Sequence, residues 1–262
     1  MFTPNDHTWV ICAYRESPYL EMCIDSLKAQ TVKTSIIMVT STPSDFLTQT
    51  AVQNQIPLIV NTGEAGIGGD WNFGLSVAET ALITLAHQDD IYEPEYAEQM
   101  LERVNRAKRP IIYFSDYGEL RNGQKTDRNK LLRIKRLMLL PIRLFPDWKW
   151  ARRLSLSCGN PICCPAITYV KTIIQNYPFE THFKSNLDWE QTEKLSRLTG
   201  RFVFNPSVLM YHRIHEGSTT SELIEERGRS QEDYEMMRRF WPDAIARRLA
   251  KVYATSEKSN RV

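Results

Sequence analysis

Short apolar runs alternate with helical patterns through the first half of the chain. Runs rich in β-branched or aromatic residues predict strands at 8–13, 35–39, 58–60 and from Leu82 up to the pair Asp89-Asp90. A spacing of three or four residues, typical of one helix face, is shown by Leu20, Cys23, Ile24 and Leu27. Helices are also predicted from Phe46 to Pro57 and over 70–80. This alternation predicts parallel strands joined by right-handed crossovers.

Polar residues follow these predicted strands at their carboxyl ends. Tyr14 follows the first strand, Thr40 to Thr42 the second, and Asp89-Asp90 the fourth. Ligands bind at this edge of parallel sheets, so we expect these residues to border one site. Adjacent carboxylates resist burial, which favours a divalent cation that carries a phosphate. Alternatively, the acids cap a helix that begins near Glu93-Pro94-Glu95.

A glycine-rich loop at 63–69 precedes the helix predicted from Asp70. Glycines between a strand and a helix can cradle a pyrophosphate, as in dinucleotide-binding folds. Here the glycine spacing misses that fingerprint, and the loop follows the third strand instead of the first. A nicotinamide or flavin enzyme is therefore disfavoured.

The second half continues with a charged helix at 95–106 and a strand at 110–116. Asn122-Gly123 is the signal of a tight hairpin. Short strands are predicted at 202–204 and 208–210, and helix from Glu222 to Tyr253 with a break at Pro242.

One segment of this half is strongly basic. Residues 121–153 hold eleven Lys or Arg against two Asp, a net charge of +9, whereas the whole chain carries only +2. Its cations alternate with leucines and with Phe145, Trp148 and Trp150, a composition typical of helices at a membrane interface or at a lipid phosphate. The alternative is an ordinary solvated helix with one core face.

Composition bounds the remaining choices. A chain of 262 residues with 42% hydrophobic content can bury the core of one large α/β domain or of a domain with appendages. Five cysteines, an odd number at irregular spacing, favour a reducing compartment, and we interpret Cys163-Cys164 as core or loop thiols. No signal peptide and no spanning apolar run is evident, so we expect a cytoplasmic protein that contacts the inner face of the cell membrane. The low net charge gives no case for nucleic acid.

Four ordered motifs resemble family 2 glycosyltransferases. They are Tyr14-Arg15-Glu16, Ser26-Leu27-Lys28-Ala29-Gln30-Thr31, the segment 66–72, and His87-Gln88-Asp89-Asp90. The resemblance extends more weakly to about Ser221. It implies a GT-A fold, an α/β class with a Rossmann-like, mostly parallel sheet flanked by helices.

The resemblance also implies a division of the chain. Residues 1–221 would form the glycosyltransferase domain, with a nucleotide-sugar half at 8–116 and an acceptor half at 117–221 that contains the basic insertion 121–153. Residues 222–262 would form a C-terminal helical extension.

Three positions depart from the family pattern. The second strand usually ends in Asp-Asp-Gly-Ser, whereas Thr40-Ser41 stands here. His87 replaces the first acid of the metal motif; it can hydrogen-bond a ribose hydroxyl but carries no fixed negative charge. Trp71 stands where arginine is usual.

The resemblance assigns roles to particular residues. Asp188 would be the catalytic base, with Glu190 as runner-up; a helix cap would also explain an acid at 188. Arg213 and His215 match a closing Arg-x-His segment that holds diphosphate or completes a metal shell. The metal ligands would be Asp89, Asp90 and His215. Donor binding is expected from Ala13, Tyr14, Glu16, Thr40, Ser41, Gly66, Asn72, His87, Gln88 and Arg213.

The function that follows is transfer of a sugar, with inversion, from a nucleotide-sugar to an acceptor hydroxyl. Mn²⁺ or Mg²⁺ would be the cofactor. The expected acceptor is a saccharide, in particular a lipid-linked one used for a bacterial surface polysaccharide. Two alternatives stay open, a nucleotidyltransferase and a noncatalytic module that binds nucleotide-sugar or lipid.

Overall fold

The computed structural model describes residues 1–215 and 228–257. Its strands β1–β9 are His7–Cys12, Ser35–Thr40, Leu58–Val60, Leu82–His87, Ile91–Tyr92, Pro110–Arg121, Gln124–Thr126, Ile167–Val170 and Arg201–Ile214. Its helices α1–α11 are Leu20–Lys28, Asp45–Asn54, Ile67–Val77, Tyr96–Arg106, Lys130–Met138, Leu140–Leu144, Lys149–Leu156, Lys171–Ile174, Leu187–Ser196, Gly228–Arg238 and Asp243–Glu257. Short 3₁₀ turns cover Pro4–Asp6 and Cys164–Ala166.

The described strands form one sheet in the order β3-β2-β1-β4-β8-β6-β9-β5, with β7 paired to β6. The first four strands are parallel, as the alternating pattern predicts. β8 is antiparallel to both β4 and β6, so β6 runs in the same direction as β4. The α/β class is confirmed, and the predicted strands at 202–204 and 208–210 are one strand, β9, whose register against β6 shifts near Asp116.

Helices cover both faces of this sheet. The apolar face predicted for α1 is buried, with Leu20, Cys23 and Ile24 fully enclosed. α3 begins at Ile67, three residues before the predicted start, with Gly66 as its N-cap residue. The Asn122-Gly123 hairpin is present, and both residues have positive φ, as a two-residue turn of this kind requires.

The side chain of Gln30 gives a structural role to the motif Ser26-Leu27-Lys28-Ala29-Gln30-Thr31 at the end of α1. Its side-chain amide donates to the carbonyls of Ser26 and Glu93 and accepts from the Ala97 N–H. The side chain is 1% exposed. One buried amide therefore joins the end of α1 to the segment that leads into α4.

The basic segment folds into the three short helices α5, α6 and α7. Leu132, Ile142 and Leu156 are buried, whereas Leu137, Leu144 and other large apolar side chains stay exposed. Among the described residues, no helix has the length and apolar content needed to cross a bilayer.

The last two described helices, α10 and α11, meet at the predicted break near Pro242. Met236 and Met237 of α10 and Ala246 of α11 are fully buried in the same apolar cluster as Trp189 of α9. The predicted boundary at 221–222 lies outside the described residues.

Candidate active site

The carboxyl edge of the parallel strands brings the first candidate residues together. Cys12 of β1 pairs with Val39 of β2 and with His87 of β4, so these strands end at one level. Ala13 is buried next to this edge, and its N–H donates to the Val39 carbonyl at 2.9 Å. Its contribution to donor binding would come from the backbone.

The loop after β1 is held by the side chain of Gln88. The Tyr14 N–H donates to Gln88 Oε1 at 3.1 Å, and Gln88 Nε2 donates to the Tyr14 carbonyl at 2.9 Å. Tyr14 and Glu16 are exposed. The next N–H, of Arg15, donates to Thr42 Oγ1. Gln88 therefore fixes the loop on which Tyr14 and Glu16 stand.

The end of β2 has a buried acid beside it. Thr40 is fully buried, and the Ser41 hydroxyl donates to Asp70 Oδ2 at 2.7 Å. Asn61 Nδ2 donates to the other oxygen of Asp70 at 2.8 Å. α3 thus supplies a carboxylate directly behind Ser41, next to the place where the family pattern has its own acid.

The start of α3 borders the site on another side. Trp71 stacks on the His87 ring with a centroid distance of 5.3 Å and an interplanar angle of 20°. Asn72 points elsewhere, since its amide both donates to and accepts from the main chain of Phe179. Gly66 lies at the start of the same helix, with open space where a side chain would be. The donor roles expected for Gly66 and Asn72 stay predictions.

The two acids of the metal motif differ in their surroundings. Asp90 is fully buried; its Oδ1 accepts from the Arg213 N–H at 2.8 Å and lies 3.0 Å from His212 Nδ1. Asp89 is partly exposed, and its Oδ2 lies 3.0 Å from His215 Nε2. Asp89 therefore faces the site, whereas Asp90 joins β4 to β9.

The chemistry of these donors fits a divalent cation. Ligand atoms of His87, Asp89 and Asp90 lie within 4.8 Å of one another. In the described part of the chain, Asp90 Oδ2 and His87 Nε2 are buried without a hydrogen-bond partner. Unpartnered buried acceptors are costly, and a cation bound by carboxylate oxygen and imidazole would satisfy them.

Histidines favour the charged form of the Asp89 carboxylate. Burial acts to raise the pKa of Asp89, but the hydrogen bond from His215 and the charges of His212 and His87 lower it overall. Burial acts to lower the pKa of His212, but the charge of Asp90 and its hydrogen bond raise it to about 9.

Arg213 and His215 lie against Tyr19. The Arg213 guanidinium is 4.2 Å above the Tyr19 ring and donates from Nε to the Asp89 carbonyl, and the His215 ring is 5.0 Å from Tyr19. Arg213 is only 6% exposed. Its described contacts position Asp89, and its expected contact with diphosphate stays a prediction.

Asp188 lies in the first turn of α9. Its Oδ2 accepts from Asn160 Nδ2 at 2.8 Å, and its Oδ1 accepts from the Trp189 N–H. Asn160 belongs to the turn-rich loop between α7 and β8 and is itself buried. Glu190, the runner-up, is 1% exposed and pairs with Arg239 and Lys194, which gives it a structural role between helices.

The charges of Asp90 and Asp188 both act on the partly buried thiol of Cys163. Burial raises the pKa of Cys163, and the charges of both Asp90 and Asp188 raise it further, while that of Lys135 lowers it. Lys135 reaches from α5 to donate to the Tyr117 hydroxyl at 2.7 Å. Acidic groups of the sheet edge and of α9 and a cation of the basic segment therefore all influence the same thiol.

The comparison with protein families decides the assignment. The model of glycosyl transferase family 2 matches residues 8–172, more than half of the chain. The chain belongs to glycosyl transferase family 2. It is 24% identical over 241 residues to an uncharacterized glycosyltransferase of Rickettsia typhi, covering 87% of this chain and 69% of that protein.

Solved glycosyltransferases of GT-A fold have the same architecture. The structure of S. aureus TarS residues 1–349 with UDP-GlcNAc matches 97% of this chain and 73% of its own, at a TM-score of 0.64 and 16% identity. The mannosyltransferase PcManGT of Pyrobaculum calidifontis, solved with GDP-Man and Mn²⁺, aligns with 97% of this chain over 70% of its own chain, at a TM-score of 0.64 and 13% identity. The GT-A fold is thereby confirmed.

This family 2 glycosyltransferase contains site residues that the sequence did not single out. In the sequence, Asp70 only marks the start of a predicted helix, and Lys135 only contributes to the charge of residues 121–153. His212 and Asn160 contact Asp90 and Asp188 from 122 and 28 residues away in the chain. The signal for Asp70 was an acid inside an otherwise apolar, glycine-rich helix start; contacts as distant as that of His212 leave no local signal.

Proposed function

We propose that the protein transfers a sugar from a nucleotide-sugar to an acceptor hydroxyl with inversion at the anomeric carbon and with the help of a divalent cation. The observation that carries this proposal is the cluster of His87, Asp89 and Asp90, whose ligand atoms lie within 4.8 Å of one another at the carboxyl edge of the sheet. Membership in family 2 favours this function over the nucleotidyltransferase and the noncatalytic module.

The donor is proposed to lie along the carboxyl edge of β1, β2 and β4. Ala13, Tyr14, Thr40 and Ser41 would border the nucleoside, and His87 and Gln88 the ribose and diphosphate. UDP-GlcNAc in TarS and GDP-Man in PcManGT support a nucleotide-sugar of this general kind. Because the Ser41 hydroxyl donates its proton to Asp70, its oxygen would be left to accept a hydrogen bond from the nucleoside.

Asp89 would hold the divalent cation, with Asp90 Oδ2 as a further ligand and with His87 Nε2 or His215 as the imidazole ligand. Mn²⁺ or Mg²⁺ suits carboxylate oxygen and shares its remaining positions with phosphates and water. When bound, the cation would neutralise charge that develops on the leaving diphosphate. His212 and the Arg213 N–H would hold Asp90 in place during this step.

Asp188 would remove the proton from the acceptor hydroxyl as that oxygen attacks the anomeric carbon. The bond to the diphosphate breaks on the opposite side, which gives inversion. Asn160 and the Trp189 N–H orient the carboxylate, because each donates to one of its oxygens.

The proposed acceptor is a lipid-linked saccharide of a bacterial surface polysaccharide, met at the inner face of the cell membrane. The exposed apolar and basic side chains of α5–α7 support peripheral membrane contact there. Leu137, Leu144 and Trp148 are 66%, 66% and 56% exposed. Helices of this composition bind interfaces through apolar burial and attraction to anionic lipid.

A direct test measures the thermal stability of the purified protein against nucleoside diphosphates and nucleotide-sugars, with and without Mn²⁺. Specific binding raises the apparent stability by mass action. We expect a Mn²⁺-dependent rise with one donor base, lost in Asp89→Ala and retained in the control Asp25→Ala, an exposed acid on α1. Equal shifts in both variants would contradict the assigned cation site.

A further inference from the structure

A cavity lined by four arginines lies away from the candidate active site. Its volume is about 360 Å³, and its walls include Arg103, Arg106, Arg143, Arg201 and Phe204. Phe202, next to Arg201, aligns across β6 and β8 with Ile83. Ile83 precedes His87 by four residues, so this level of the sheet is roughly 13 Å from the carboxyl edge.

The charges of this cavity are only partly balanced. Arg106 pairs with Glu102 at 2.6 Å, and Arg201 lies 3.8 Å from Asp147. For Arg103 and Arg143, no described residue places a carboxylate within 4 Å. Guanidinium groups gathered without counterions repel one another, and an anion between them removes that repulsion.

A fifth guanidinium stands behind the cavity wall. Arg152 is fully buried, and its described hydrogen bonds are to backbone carbonyl oxygens of Pro146, Ser196, Leu198 and Gly200. Pro146 itself lines the cavity. Arginine stays charged in such a site. Because Arg152 is buried, water screens its positive charge less than it screens the charges of exposed arginines.

Beside the cavity, the same chain segment exposes three aromatic rings. Phe145, Trp148 and Trp150, here called the aromatic triad, contact one another with centroid distances of 5.4–5.8 Å. Each ring is between 41% and 56% exposed. Tryptophan is favoured at membrane interfaces, where its apolar body meets lipid and its N–H meets water.

We propose that the arginine cavity binds the phosphate of an anionic phospholipid head group while the aromatic triad enters the lipid interface. The planar fork of a guanidinium can donate to two phosphate oxygens at once. Arg103 and Arg143 could both bind phosphate in this way, because they have no carboxylate partner among the described residues. The inference rests on the proposed membrane contact and adds to it a ligand and a binding site.

The test uses the full chain and a lipid that dissolves as monomers. Dihexanoyl phosphatidylglycerol, below its micelle concentration, is titrated by calorimetry into the wild type and two double variants. Arg103→Gln/Arg143→Gln removes the unpaired cations of the cavity. Lys130→Gln/Arg133→Gln removes two exposed cations of α5 that do not line it.

We expect saturable binding that falls at least tenfold in the cavity variant and stays within about twofold in the α5 variant. Equal losses in both variants would show that binding depends only on the total positive charge and would overturn the proposal. The absence of binding to the wild type would also overturn it. Inorganic phosphate that binds as tightly as the short-chain lipid would overturn the lipid assignment.

A vesicle experiment separates this site from membrane contact as a whole. Trp148→Ala/Trp150→Ala is expected to pellet less with vesicles of phosphatidylcholine and phosphatidylglycerol while its titration with the soluble lipid is unchanged. If the wild type binds the soluble lipid through the cavity but does not pellet with vesicles, the cavity assignment holds and the membrane contact fails.

Discussion

The two sides of the candidate site are held in place by different means. Ala13, Thr40 and His87 stand at the ends of parallel strands, so backbone ladders fix their positions. Asp188 stands at the start of a helix whose surroundings are side chains from distant segments. Asn160 holds its carboxylate, and Glu232 of α10 accepts from the N–H groups of Lys184, Ser185 and Asn186, which immediately precede α9.

This difference has a consequence for mutation. The hydrogen bonds of a backbone ladder remain when most single side chains are replaced. A helix start that is held by a few carboxylates and amides loses part of its support with each of them. Side-chain substitutions should therefore affect the acceptor side more than the donor side.

The largest effect is expected at the proposed base. Asp188→Asn keeps the shape of the side chain but removes the proton acceptor and replaces one of the two accepting oxygens by an amide NH2, so kcat should fall about a thousandfold or more. The Mn²⁺-dependent stabilisation by nucleotide should remain, because the donor side does not use Asp188. Transfer at the wild-type rate would refute the assignment.

Next in size is the loss of the residue that orients this base. Asn160→Ala should lower kcat about tenfold to a hundredfold with little change in donor affinity. A hydrogen bond to a carboxylate lowers its pKa, so the acidic limb of the pH–rate profile should also move to higher pH. Asn176→Ala, an exposed asparagine between α8 and α9, serves as the control. A fall in kcat without the pH shift would argue for a purely structural role.

A smaller effect is expected from the contact made by α10. Glu232 acts as a cap for the segment before α9; burial acts to raise its pKa, but the Ser185 hydroxyl and three N–H groups lower it overall. Glu232→Ala should cost about 2 kcal/mol in the free energy of unfolding. Denaturant titration beside Glu235→Ala, an exposed neighbour, would check it, and equal losses would contradict the capping role.

At neutral pH, the smallest expected effect lies on the donor side. Burial of His7 on β1 lowers its pKa to about 3, and its ring nitrogens contact Thr34 and Thr84. The unfolded chain takes up this proton below its ordinary pKa of 6.5, so the stability contribution is complete above pH 6.5 and lost as pH falls toward 3. The slope should be about 1.4 kcal/mol per pH unit. His7→Gln should flatten the pH dependence by this amount in denaturant titrations; an unchanged slope would show that His7 does not titrate.

The contrast between backbone ladders and contacts of distant side chains also separates the features that the sequence predicted from those that it did not. The strands β1–β4 and the face of α1 followed from local periodicity, because burial of one face repeats at fixed spacing. The clustering of His87, Asp89 and Asp90 followed from their place at a strand end. The contacts of Asp90 with β9 follow from the antiparallel pairing of β5 with β9, in which Ile91 lies opposite Tyr211, and no local pattern encodes this pairing. Asn160 and Glu232 act through single side chains in loops and helices of ordinary composition.

Gly159 illustrates how closely the acceptor side depends on the last helix. Its φ of 145° is a conformation that favours glycine, and a Cβ there would lie 2.5 Å from the ring of Tyr253 on α11. The next residue is Asn160, which holds Asp188. The ribosome makes Tyr253 after every other part of this arrangement. During synthesis, the donor side can therefore form early, whereas the proposed base reaches its final position only after α11 has been made.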